Sequence, residues 1–106
     1  MSLDLMEIKK AFPKIEELSE VIGTWEVWIE GCPVNPIKIK VLREANGMYT
    51  GIANYSIQNP KQATPYRSIN PTESMRDSLI SAISGFLMFY NRALVDETRF
   101  IKDEDF

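Results

Sequence analysis

The chain has 106 residues, of which 44% are apolar and 25% charged, with a formal net charge of −3. This composition fits a single domain over residues 1–106 and excludes a disordered chain; no apolar run approaches the roughly 20 residues that span a bilayer. There is no histidine and one cysteine, Cys32. Because the commonest general base and the usual zinc ligands are missing, we predict no metal, no cofactor and no enzymatic activity.

Cellular location and nucleic-acid binding are constrained by the same composition. A lone cysteine cannot form an internal disulfide, and Asp4 and Glu7 interrupt the place of a secretory signal, so we expect a cytoplasmic protein with no membrane segment. The acidic excess disfavours binding of double-stranded nucleic acid, because the phosphate backbone repels a negatively charged protein.

Residues 4–22 are predicted to be helical, with one interruption. Apolar residues recur at helical spacing over residues 4–22, with Pro13 inside the pattern. Proline predicts a break at that point, with a second helix restarting at Pro13 and ending at Gly23. Residues 1–12 would then be a loosely attached N-terminal segment.

Side chains alternate between the two faces of a predicted strand in two runs: TWEVWIE at residues 24–30 and IKIKVLR at residues 37–43. The loop between them contains two prolines and a glycine. If the strands pair antiparallel, the glutamates of one and the lysines of the other share a face. This hairpin is the firmest strand prediction.

A third strand is predicted over residues 48–58, and its turn decides which residues face the core. A two-residue turn at Asn46-Gly47 would align the even-numbered residues with Ile39; a three-residue turn with Gly47 left-handed would align the odd-numbered ones. We favour the longer turn because the odd-numbered set is more apolar. Gly51, in the middle of this strand, marks a bulge or the close approach of another backbone.

A proline-containing segment and a long helix follow. Residues 59–70 form a loop or a short edge strand, and residues 71–93 form a helix. Asn70 is the predicted N-cap, Pro71 suits the first helical position, and Glu73 is placed to reach back to the cap. Residues 95–106 are acidic and are expected to be a mobile tail.

The predicted helix has two unlike sides. A broad apolar stripe would cover the sheet; its members are Met75, Leu79, Ala82, Ile83, Phe86, Tyr90, Ala93 and Leu94, widened by Ile80, Leu87 and Phe89. The opposite side carries small residues and one methionine: Ser74, Ser78, Ser81, Gly85 and Met88. It is either a solvated serine face or the docking place of another helix, from residues 13–22 or from the same helix of a second subunit.

Two groups of residues are candidate binding sites. Trp28, Lys38 and Lys40 would share the outer face of the sheet, as an aromatic and basic platform or as an ordinary solvated face. Tyr66 and Arg67 lie in the only net-positive segment and suit an anionic or aromatic partner, although a tyrosine packed on the sheet beside a solvated arginine is the preferred interpretation.

The element order resembles the double-stranded-RNA-binding domain, and PIKIKVLREANGMYTGIANYS is similar to that family's central strands. The resemblance covers residues 13–58 and implies the order helix, three strands, helix. The family places a lysine cluster at the start of its last helix, where this chain has PTESMRD with Glu73 and Asp77. The resemblance therefore implies the topology and not RNA binding.

The predicted fold is α+β: an antiparallel meander of three or four strands flanked by an N-terminal helix and one long C-terminal helix packed on the sheet. The predicted function is a non-catalytic interaction or assembly module whose partner is itself, as a homodimer, or another protein. The alternative is a domain that binds a small ligand or single-stranded nucleic acid through the sheet face and the 59–70 loop.

Overall fold

The computed structural model describes residues 3–67 and 71–106 and has the predicted α+β architecture. In chain order its elements are α1 (Leu5–Ala11), β1 (Ser19–Val27), β2 (Ile37–Glu44), β3 (Tyr49–Ala53), β4 (Tyr55–Gln58), α2 (Met75–Phe89), a 3₁₀ helix (Arg92–Glu97) and β5 (Arg99–Lys102). One three-stranded antiparallel sheet has the order β1-β2-β3, and β4 pairs with β5 in a second, two-stranded sheet.

The hairpin of β1 and β2 confirms the first two strands. Trp25 lies opposite Ile39, and Glu26 lies opposite Lys38. The alternate residues Ile37, Ile39 and Val41 are buried beneath α2, so the lysines between them point to the outer face of the sheet, the face turned away from α2.

The turn from β2 to β3 is the predicted three-residue turn. Gly47 has φ of +86°, its N–H donates to the Glu44 carbonyl at 2.9 Å, and the Glu44 N–H donates to the Met48 carbonyl at 2.8 Å. This geometry places Gly51 opposite Val41, so the odd-numbered residues of β3 face the core as expected.

The predicted helix over residues 13–22 is wrong. β1 begins at Ser19 and pairs with the far end of β2, where Glu20 lies opposite Arg43. The β-branched Val21 and Ile22 fit a strand, and the pairing with β2 overrides a helical spacing that Pro13 already interrupts. The N-terminal helix is therefore only α1, which starts at the N-cap Asp4 and buries Leu5.

The acidic segment 95–106 contains β5, a strand that the sequence pattern does not predict. Phe100 of β5 lies opposite Ile57 of β4 and packs against the core, with its ring centroid 6.3 Å from that of Phe86. Asn54 joins the two sheets, because its backbone N–H donates to the Lys38 carbonyl and its own carbonyl accepts from Asp103, at 2.9 and 2.8 Å.

The long helix is shorter than predicted and starts later. Thr72 exchanges two backbone hydrogen bonds of 2.8 Å with Tyr49 of β3, so the chain is still extended there and neither Pro71 nor Glu73 is helical. Ser74 is the N-cap, with its hydroxyl accepting from the Asp77 N–H at 3.0 Å. The predicted cap Asn70 lies outside the described residues.

The side of α2 that faces the sheet is also turned relative to the predicted stripe. Its buried residues are Ser78, Ala82, Gly85 and Phe86, whereas Met75 is exposed. A Cβ on Gly51 would lie 2.5 Å from the Ser78 carbonyl oxygen. The close backbone approach expected at Gly51 is thus confirmed, and it accounts for small residues on the sheet-facing side of the helix.

Candidate interaction surface

The two predicted binding groups lie in different parts of the molecule. Lys38 and Lys40 project from the outer face, and Trp28, just past the end of β1, is 70% exposed. Tyr66 bridges to Ile57 of β4 on the α2 side. The five residues therefore do not form one site.

The lysines of the outer face have partners in the chain. Lys40 Nζ donates to the Phe106 carbonyl oxygen at 2.7 Å and lies 4.6 Å from the centroid of the Phe106 ring, in cation–π geometry. Lys38 lies opposite Glu26. The Lys40 ammonium is thus engaged within the chain and Lys38 faces a glutamate across the ladder, an arrangement of mixed charge that does not favour a platform for nucleic acid.

Tyr66 and Arg67 are used in packing. The Tyr66 ring stacks on Phe89 with a centroid separation of 4.9 Å, and its hydroxyl lies against Gly85. Arg67 Nε donates to the Ser56 hydroxyl at 3.3 Å. With Ala82 and Phe86 these two residues line a cavity of about 10 Å³, which is room for a single water; with Lys61 and Phe89 they also line an open surface groove of about 440 Å³.

Most of the predicted small-residue side of α2 is covered by this chain. Ser74 caps the helix. Ser78 is buried against Gly51, and its hydroxyl is 2.6 Å from that of Thr72. Gly85 is buried beneath Tyr66. The packing therefore explains these small residues without a second helix, and among the five predicted residues only Met88 is strongly exposed.

A different side of α2 is both apolar and exposed. Ile80 is 43%, Leu87 44% and Met88 76% exposed. At 100° per residue, Ile80, Ser84, Leu87 and Met88 share one side of the helix, and we call these four residues the α2 strip. Residues 78–91 contain no charged residue, so the strip lacks the lysines and glutamates that usually keep a helix surface in water.

Sequence reasoning had assigned Ile80 and Leu87 to the edges of the core-facing stripe. That prediction is wrong because it assumes that the small residues of the helix face away from the sheet. Gly51 has no side chain, so the small residues of α2 can pack closely on the sheet instead. One signal did point to the strip: five large apolar residues run consecutively from Phe86 to Tyr90, and they cannot all face one side of a helix.

The thiol and the phenols offer no evident reactive group. Cys32 is buried, and this burial raises the pKa of its thiol and so keeps it protonated. Tyr90 donates its hydroxyl to the Glu30 carbonyl at 2.8 Å, and partial burial raises its pKa, with the nearby Cys32 adding to the effect. Neither group is a poised nucleophile or base.

Within residues 3–67 and 71–106, none of the helices has the length and apolar character needed to cross a membrane. Across the same residues, no cluster of three or more acidic or cysteine side chains is arranged to hold a metal ion. Comparisons with protein-family models, curated proteins and solved structures find no match to this chain.

Proposed function

We propose that this protein is a non-catalytic interaction module that forms a homodimer through the α2 strip. The observation that carries the proposal is the exposure of Ile80, Leu87 and Met88 on one helix side. Between these three large apolar side chains there is no charged residue. Covering them with another apolar surface removes them from water, which stabilises the complex by roughly 25 cal/mol per Å² of apolar area buried.

A second copy of the same chain is the occupant that fits this surface. A two-fold axis brings the same surface of each subunit together, so a strip of purely apolar and hydroxyl side chains is complementary to itself. The chain carries a net charge of −3, and two such molecules repel each other least where neither presents a charge. The absence of charge over residues 78–91 meets that condition.

The expected dimer is weak. Ile80 and Leu87 are seven residues apart, which is about 10 Å along a helix. A strip of this length buries less than the roughly 800 Å² per partner of a standard interface. We therefore expect the dimer to dissociate on dilution. We also propose a cytoplasmic location, in which the single Cys32 stays reduced.

Sedimentation equilibrium over a wide concentration range tests the proposal. The native chain should approach twice its mass of 12.2 kDa, and the double variant Leu87→Glu, Met88→Glu should remain at the monomer mass. Phe12→Glu is the matched control, because Phe12 is also an exposed apolar residue but lies at the end of α1. A native chain that stays monomeric at millimolar concentration, or a double variant that still dimerises, overturns the proposal.

The alternative of a small-ligand or single-stranded nucleic-acid binder has less support. The 59–70 loop does line an open groove of about 440 Å³, but the five predicted residues lie in two separate parts of the molecule, and Lys40, Tyr66 and Arg67 have partners within the chain. It stays a prediction that titration with oligonucleotides at low salt tests.

A further inference from the structure

β1 has one unpaired edge. It is nine residues long and lies at the margin of the three-stranded sheet. Among the described residues, no backbone hydrogen bond joins residues 19–27 to any element other than β2. Half of the N–H and C=O groups of an edge strand point away from its sheet, so they can form a further ladder with an extended segment.

The charge along this edge is of one sign. β1 itself carries two glutamates, Glu20 and Glu26, and no lysine or arginine, and the neighbouring Glu30 is bonded to Arg92 at 2.7 Å. Glu20 is bonded to Arg43 of β2 at 3.1 Å, whereas Glu26 is exposed. Cross-strand neighbours on the same face lie close enough for opposite charges to attract and like charges to repel.

β2 shows which kind of strand suits β1. The residues of β2 opposite Glu20, Thr24 and Glu26 are Arg43, Lys40 and Lys38. β1 is thus already paired on one side with a strand whose outer face carries basic residues at two alternate positions, Lys38 and Lys40. On that outer face, the exposed Glu26 is the glutamate of β1 that a further strand would meet.

A second copy of this chain is a poor occupant of the edge. Antiparallel pairing of β1 with another β1 would bring two acidic strands together, with no lysine or arginine on either. β5 carries Arg99 and Lys102, but acidic residues flank it on both sides. The charges therefore select a partner outside this chain.

We propose that the free edge of β1 binds an extended segment of a partner protein with lysine or arginine at alternate positions. The segment adds to the sheet as a fourth, antiparallel strand along residues 23–28, since a bulge between Val21 and Gly23 interrupts the ladder above that point. A cation of the segment pairs with Glu26, and the exposed Trp28 supplies an aromatic face on which it stacks.

A blocked ten-residue peptide of alternating Lys and Thr is the probe. At low salt it should change the fluorescence of Trp28 and protect from hydrogen exchange about half of the amides of residues 23–27. The same peptide with alternate backbone nitrogens methylated keeps its charge but cannot donate the ladder hydrogen bonds, so it should bind much more weakly. Equal binding of the two peptides overturns the proposal, because attraction would then not depend on a strand.

Matched variants locate the site. Glu26→Lys should weaken binding roughly three- to tenfold, whereas Glu97→Lys makes the same change of charge in the exposed 3₁₀ helix and should have little effect. Equal losses in both variants also contradict the proposal. The Leu87→Glu, Met88→Glu chain should bind the peptide as the native chain does. The experiment on the β1 edge can therefore fail while the dimer proposal stands, and the reverse.

Discussion

Gly51 allows α2 to approach the sheet closely. It has no side chain where the Ser78 carbonyl oxygen lies over β3, and Ser78 is itself held by its contact with the Thr72 hydroxyl. A larger residue at position 51 requires the helix or the strand to move, because the atom that it meets belongs to the helix backbone.

Gly51→Ala should lower the free energy of unfolding by about 1–3 kcal/mol, the usual cost of overpacking a close contact. Urea denaturation followed by circular dichroism measures the change. Thr50→Ala, the neighbouring position in β3 on the outer face, is the control and should change stability by less. Equal stability of native and Gly51→Ala chains would mean that α2 is not seated as closely as described.

Cys32 should make stability depend on pH in the alkaline range. Burial raises the pKa of its thiol in the folded chain, so the folded state holds its proton more tightly than the unfolded state. Its contribution is fully present below the ordinary thiol pKa and is lost as the pH rises through the pKa of the folded state. Cys32→Ala should therefore show a shallower loss of stability between about pH 7 and pH 10, and parallel pH profiles would contradict this account.

At the scale of elements, α2 depends on its cap. Ser74→Ala removes the hydroxyl that accepts from the Asp77 N–H and should cost about 1 kcal/mol of stability. Ser84→Ala is the control on the same helix: Ser84 is exposed in the helix interior, where alanine is the better helix former, so this change should be neutral or slightly stabilising. Equal effects would mean that Ser74 does not cap α2.

Elements specified by neighbouring residues could be predicted from the sequence. The alternation in β2 and the left-handed Gly47 fix the hairpin turn and the buried side of β3, and both predictions are confirmed. Local pattern was insufficient where distant pairing decides. Residues 19–22 become strand because β2 is beside them, and Arg99–Lys102 becomes β5 because β4 offers an edge.

The candidate surface was predicted less well than the fold. Met88 was expected to be free for a partner, and it is exposed. The small residues Ser78 and Gly85 do indicate close packing, as predicted. Their partners, however, belong to the same chain: Ser78 packs on Gly51 of the sheet, and Gly85 packs on the Tyr66 ring. A helical projection cannot distinguish these cases, because it contains no information about the residue that each side meets.

At the scale of the whole molecule, the chain is elongated. Its Cα radius of gyration is 15.6 Å, whereas a compact domain of this length would have about 13 Å. The molecule measures 51 × 26 × 19 Å along its principal axes, so many of its residues lie at the surface. α2 packs mainly on β2, β3 and β4, so we expect the free edge of β1 and the α2 strip to act as separate surfaces.

The lack of charge along α2 after Asp77 also determines how buffer composition acts on the molecule. Sodium sulfate favours the burial of apolar groups and has no ion pair to weaken there, so it should drive the chain toward the doubled mass. Raising sodium chloride instead screens glutamate–lysine attraction and should release the basic peptide from β1. A sulfate series read by sedimentation and a chloride series read by fluorescence should thus move in opposite directions.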